Sequence, residues 1–183
     1  MKYTQRLNQF TPTRTWTLTP KALQWHDDKG ASGEIELSKV KEVRLRFEPS
    51  RAETRRFAMH INAGTTTTIT NINYRGVMDF EARSDEFRNF VIAFHKALAS
   101  ANPSVIYHQG STTGAYIGNV LLSLFVFGII IFAFFFFLFA GVVWVALVKL
   151  VIILALIPTL IRFLKRNRPG TYRPDDIPAE LLP

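Results

Sequence analysis

From Arg14 to Arg83 apolar and polar residues alternate with a period of two, the pattern of short strands that bury one face. Trp16 and Leu18 alternate with Thr15 and Thr17, and Thr19-Pro20 turns the chain into a second strand whose apolar face is Leu23 and Trp25. Asp27-Asp28-Lys29-Gly30 reads as a hairpin turn, because Asp and Gly tolerate the backbone conformations such turns demand. Ile35 and Leu37 mark a third strand; Val43, Leu45 and Phe47, set against Glu42, Arg44, Arg46 and Glu48, mark a fourth. After a loop at Pro49 to Thr54, the apolar positions Phe57, Met59 and Ile61 mark a fifth. Ala63-Gly64 leads into a threonine-rich sixth strand, Thr65 to Asn73, where β-branched side chains favour extended backbone. Tyr74-Arg75-Gly76 is expected to turn the chain into a seventh, Val77 to Arg83, and residues 1–13 read as a polar lead-in.

The period then changes. Phe87, Phe90, Val91, Phe94, Leu98 and Ala101 fall on one face of a helix. Ser84 is its expected N-cap, Asp85 and Glu86 place negative charge at the positive end of the helix dipole, and Asn102-Pro103 ends it. Residues 103–114 form a linker in which Val105 to Tyr107 has the pattern of an extended piece.

Beyond the linker almost every position from Tyr116 to Leu164 is apolar, and Lys149 is the only charge before Arg162. One straight helix of that length would reach roughly 70 Å, more than twice the ~30 Å of a bilayer's hydrocarbon core. The pattern therefore predicts two membrane helices within residues 115–164, reversing at Ala140-Gly141, with Pro158 loosening the second. Arg162, Lys165, Arg166 and Arg168 at the end of the second helix are topology anchors that favour the cytoplasmic side. A hairpin then places the N-terminal module on that side too, in keeping with the lack of an apolar signal core in Met1 to Phe10. The expected location is the cell (inner) membrane, with two spans and both termini cytoplasmic. Residues 165–183 form a basic, proline-rich tail that favours an extended path. Tyr172, Ile177, Leu181 and Leu182 are the apolar anchors it would use as a docking strap, on its own module or on a neighbouring subunit, and a loose tail is the alternative.

The predicted fold class is α+β: a seven-stranded antiparallel open barrel capped by one C-terminal helix (residues 14–102), followed by a two-helix transmembrane hairpin. This order of elements, with Trp16-x-Leu18, Leu23-x-Trp25, Gly33-x-Ile35-x-Leu37 and Phe87-x-x-Phe90-Val91 as its marks, resembles the pleckstrin-homology-like (PH-like) domains attached to bacterial membrane helices. The resemblance covers Arg14 to Ala101 and implies a binding module. Thr19-Pro20-Lys21 leaves almost no loop where phosphoinositide-binding members carry a long basic one, which speaks against headgroup recognition there.

A net charge of +8 suggests nucleic acid at first, but the cations are scattered over the module or flank the apolar run, where lipid is the expected counterpart, so no nucleic-acid partner is expected. Arg44, Arg46, Arg51, Arg55 and Arg56 are the candidate contacts to anionic lipid or an acidic partner; Glu42, Glu48 and Glu53 dilute the field, and a solvated strand face is the plainer reading. Lys149 either serves an interior role or extends its ammonium to the headgroups. His26, His60, His95 and His108 have no ligand spacing, the chain has no cysteine, and no catalytic or phosphate-binding motif stands out, so neither enzyme chemistry, a metal nor a cofactor is expected. The expected role is that of a membrane-anchored binding or scaffold module in a homo-oligomeric or larger assembly, its partners being membrane lipid and itself or another membrane protein. The alternatives are hairpins lining a conduction path with Lys149 inward, and recognition of anionic lipid by the module.

Overall fold

The computed structural model describes residues 1–49 and 55–183. The chain divides into two compact units, one made of residues 1–110 together with 170–183, the other of residues 111–169.

In the first unit β1 (Lys2–Gln5), β2 (Arg14–Leu18), β3 (Ala22–Asp27) and β4 (Ser32–Glu36) form an antiparallel sheet in chain order. A short 3-10 turn, Leu37–Lys39, leads to β5 (Glu42–Phe47), which pairs with β6 (Phe57–Asn62), itself paired with β7 (Thr66–Thr70). β8 (Ile72–Gly76) and β9 (Asp79–Ala82) make a separate hairpin. The helix α1 (Ser84–Ala101) follows, then β10 (Ile106–Gln109), which lies parallel to β5. The last strand, β11 (Gly170–Thr171), pairs antiparallel with β10. The five-stranded sheet thus runs β11-β10-β5-β6-β7.

The core lies where the alternation places it. Trp16, Leu23, Leu37, Val43, Leu45, Met59, Ile61 and Ile69 meet Phe87, Phe90, Val91, Phe94 and Leu98 of α1, all buried. Asp85 and Glu86 occupy the first turn of α1, and Asn102 ends the helix by donating its amide side chain to the carbonyls of Ser38 and Val40. Ser84 is the first helical residue and makes no capping bond, and the capping position falls on Arg83.

The expected seven-stranded antiparallel barrel gives way to a four-stranded sheet, a mixed five-stranded sheet and a separate two-stranded hairpin, and no barrel closes. The lead-in is a strand: Tyr3 and Gln5 are buried, with the Tyr3 ring stacked on Phe90 at 5.4 Å. β1 meets β7 through hydrogen bonds made by its side chains. Tyr3 Oη donates to the Thr70 carbonyl at 2.6 Å, Gln5 Nε2 donates to the Thr68 carbonyl, and the Thr70 amide donates to Gln5 Oε1. Those bonds use the β7 edge groups that a closing backbone ladder would need. The Thr65–Asn73 run also breaks at Asn71, which is fully buried. Its Oδ1 accepts from the Phe57 amide at 2.7 Å, its Nδ2 donates to the Arg55 carbonyl at 3.0 Å, and its own carbonyl accepts from the Arg83 amide at 2.7 Å. Tyr74, Arg75 and Gly76, expected to turn the chain, belong to β8, and the turn falls directly after them on Val77-Met78, with Met78 in the left-handed region at φ 58°.

The second unit is a pair of packed helices, α2 (Thr113–Phe139) and α3 (Val143–Asn167). Both are long and apolar enough to cross a membrane. At about 1.5 Å per residue they measure roughly 40 and 38 Å. The chain reverses through Ala140, Gly141 and Val142, where Gly141 takes φ 77°, a conformation that suits a residue without Cβ. α3 continues three residues past Leu164, so Lys165 and Arg166 belong to its last turn. Large apolar side chains stand exposed along both helices, among them Phe125, Phe132, Phe139 and Trp144.

Candidate functional site

The tail folds back onto its own module. Leu181 and Leu182 are buried in the core, and Tyr172 and Ile177 pack against it. Tyr172 is held by its backbone amide, which donates to the Tyr107 carbonyl of β10 at 3.1 Å. Its hydroxyl lies 2.7 Å from Nε2 of His95, which is fully buried on α1. His95 Nδ1 lies 2.8 Å from the Val91 carbonyl, an obligate acceptor. Nδ1 is therefore the protonated nitrogen, Nε2 accepts, and the Tyr172 hydroxyl donates. The rings of His95, Tyr107 and Tyr172 form a triangle with centroids 5.2–5.8 Å apart. Burial lowers the pKa of His95 to about 4, against the opposing hydrogen bond to Val91, and raises that of Tyr107 to about 12 and that of Tyr172 further. The cluster is built to stay neutral. His95 reads in sequence as a helix-flank residue, although its spacing from Val91 (i−4) and Leu98 (i+3) puts it on the apolar stripe. Beside this cluster an open cleft of about 590 Å³ has Arg88, Ile92 and Lys96 of α1 on one wall and Asp175, Asp176 and Ile177 of the tail on the other.

Arg44 and Arg46 share the outer face of β5 as their spacing suggests, but they do not make a free basic patch. Arg46 pairs with Glu48 at 3.1 Å, and Glu48 also meets His60 Nε2 at 3.0 Å. Burial alone would raise the Glu48 carboxyl, but the hydrogen bond from His60 and the charges of His60, Arg46 and Arg56 hold it below the ordinary carboxylate range. Arg44 stands in register between His60 of β6 and His108 of β10, and desolvation lowers its pKa. His108 in turn lies 3.4 Å from Glu42. The face is a lattice of alternating charge. Arg55 is exposed and Arg56 half-buried at the start of β6, and Arg51, like Glu53, lies outside the described residues.

In the helical unit Lys149 is half-exposed, two turns into α3, and among the described residues no carboxylate lies within ion-pair reach of it. Arg162, Lys165 and Arg168 are exposed and Arg166 is half-buried. Leu122, Val126, Phe127, Leu156, Leu160 and Phe163 line an apolar groove of about 410 Å³ between the two helices. No cluster of three or more histidine, aspartate or glutamate side chains among the described residues is placed to hold a metal ion. Comparison of the chain with protein-family models, curated proteins and solved structures finds no match.

Proposed function

We propose that this chain is a membrane-anchored binding module, PH-like in its order of elements, held at the cytoplasmic face of a bacterial inner membrane. It acts as a scaffold or assembly subunit with no chemistry of its own. One observation carries this reading: Gln109 and Gly170 are paired neighbours in a single sheet, so the two apolar helices are an insertion within the module. If both helices cross a bilayer, the module and its tail share one side of it. Gly110 is followed by only two residues before α2, and α3 by only two before Gly170, at most about 7 Å of extended chain each. The module therefore works at the surface. The basic residues Arg162, Lys165, Arg166 and Arg168 support the cytoplasmic side. The PH-like reading is supported by a four-stranded antiparallel sheet and a mixed five-stranded sheet with one amphipathic helix packed into their core.

The absence of cysteine makes the test direct. Thr65→Cys in the β6–β7 turn and Ala140→Cys in the helix reversal are labelled with an impermeant maleimide in intact spheroplasts and in inverted vesicles. The expected pattern is Thr65→Cys reactive only in inverted vesicles and Ala140→Cys only in spheroplasts. Labelling of Thr65→Cys from outside refutes the orientation. The assembly part is tested by the mass of the full-length protein in lipid nanodiscs, where a single copy per disc removes it.

A further inference from the structure

Three side chains of the first unit stand almost wholly exposed although they are large and apolar: Phe10 at 82%, Val77 at 82% and Met78 at 86%. They sit on two loops that the fold brings together. The Tyr74 amide donates to the Arg6 carbonyl at 2.8 Å, and the Arg6 guanidinium lies 5.4 Å from the centre of the Tyr74 ring. From that joint Phe10 is four residues along one loop and Val77 three along the other. Neither loop is slack. Arg6 donates to the carbonyls of Gln9 and Thr11, and Asn8 Oδ1 accepts from the amides of Phe10 and Thr11. On the other side Glu81 gathers Asn73, Arg75 and Arg83. Met78 adds a second argument. A bulky side chain in the left-handed region costs backbone strain that glycine would avoid, and burial within the protein does not offset it here.

What covers these residues follows from where they lie. The β8–β9 hairpin springs from Asn71, at the end of the five-stranded sheet marked by Phe47 and Phe57. The Gly110 amide bonds Leu45 and Gly170 pairs with Gln109, so the chain leaves for the apolar helices, and returns from them, at that same end. Exposed Phe, Val and Met with Arg6 and Arg75 two to four residues away along the same loops have the composition of a bilayer-interface segment, apolar groups for the acyl boundary and guanidinium groups for the phosphate level. Asp79, Glu81 and Arg83 leave the local charge nearly balanced, so headgroup charge is secondary.

We infer that Phe10, Val77 and Met78 insert into the interface of the bilayer that holds the helices, giving the module a second, non-helical attachment that fixes its orientation on the membrane. The inference rests on the helices being membrane-embedded. The test uses the full-length chain in nanodiscs of neutral phosphatidylcholine, labelled with an environment-sensitive fluorophore at Phe10→Cys or Val77→Cys. Thr65→Cys, at the opposite end of the sheet, is the aqueous reference, and Phe132→Cys in α2 is the buried one. A spin label carried on the lipid is expected to remove most of the emission from Phe10→Cys, Val77→Cys and Phe132→Cys, and little from Thr65→Cys, with aqueous iodide giving the reverse. If Phe132→Cys is quenched from the lipid while Phe10→Cys and Val77→Cys behave like Thr65→Cys, the inference is overturned and the anchoring stands. If Phe132→Cys also escapes the lipid quencher, the anchoring itself fails. Energy transfer between copies labelled at Val77→Cys, without lipid quenching, overturns it in favour of an interface between two chains.

Discussion

Removing one oxygen atom tests the seating of the tail. In Tyr172→Phe the ring remains, so the packing against His95 and Tyr107 is kept and only the hydroxyl that donates to His95 Nε2 is lost. His95 is fully buried, and its other nitrogen is committed to the Val91 carbonyl. The substitution therefore leaves a buried acceptor with no donor, which costs about 1–3 kcal/mol. Urea unfolding of the full chain in mild detergent reads this out through Trp16 and Trp25 of the module, in a Trp144→Phe background that silences the helical unit. The urea midpoint at neutral pH is expected to fall by the equivalent of about 2 kcal/mol, with an unchanged slope. An unchanged midpoint would refute the reasoning, because a solvated hydroxyl costs nothing to remove and would mean that the tail is not seated on α1.

The remaining expectations use the same unfolding assay except the last. Because burial lowers the folded-state pKa of His95 to about 4 from an ordinary 6.5, its contribution is complete above about pH 6.5 and is lost as the pH falls towards 4. His95 alone then makes stability fall by up to about 1.4 kcal/mol per pH unit across that window, and His95→Gln removes this slope; a mutant curve parallel to the wild type would contradict it. Asn71→Ala strips the Phe57 amide and the Arg55 carbonyl of their buried partner and is expected to destabilise the module by about 2–3 kcal/mol, whereas a loss under about 0.5 kcal/mol would mean that water replaces the side chain. Lys149→Leu is expected to leave membrane insertion and oligomer mass unchanged, as an ammonium extended to the headgroups would allow; loss of an ion flux measured in liposomes would instead place Lys149 on a path.

How much of this was legible depended on whether a residue's role was local. The outward set Arg44 and Arg46, the apolar stripe of α1 and the two long apolar helices follow from periods of two and 3.6, which a window of a dozen residues contains. Asn71 was not legible, because an asparagine among β-branched residues looks like one more strand residue until Phe57, Arg55 and Arg83 converge on it. β1 was hidden for a related reason. Tyr3 and Gln5 alternate with Lys2 and Thr4, but four residues carry too weak a signal without knowledge that β2 lies beside them. The tail shows the same limit more sharply. Its anchors were visible as apolar residues, while their seat on His95 spans 77 residues of sequence. Charge was legible only in part: the carboxylates interleaved with Arg44 and Arg46 are visible in sequence, but the pairing of Arg46 with Glu48, and of Glu48 with His60 on the next strand, is not.

The pairing of Gln109 with Gly170 makes the helical unit separable on paper and sets a strong test of the two-unit division. Residues so paired are the natural ends of a two-residue hairpin, for which Asn-Gly is the favoured connection. Replacing residues 110–169 by Asn-Gly joins β10 directly to β11 and keeps Tyr172, Ile177, Leu181 and Leu182 in place. A fragment ending at Gly110 lacks them, and losing two buried leucines alone costs it roughly 3–6 kcal/mol. The joined module is therefore expected to be soluble and to unfold cooperatively, with the Tyr172→Phe penalty of the full chain, while the bare fragment is much weaker. If instead the joined module is insoluble or melts without cooperativity, the core depends on the helices and the units are not separate. If the bare fragment matches it, the tail contributes nothing, and the case for a built-in strap falls with it.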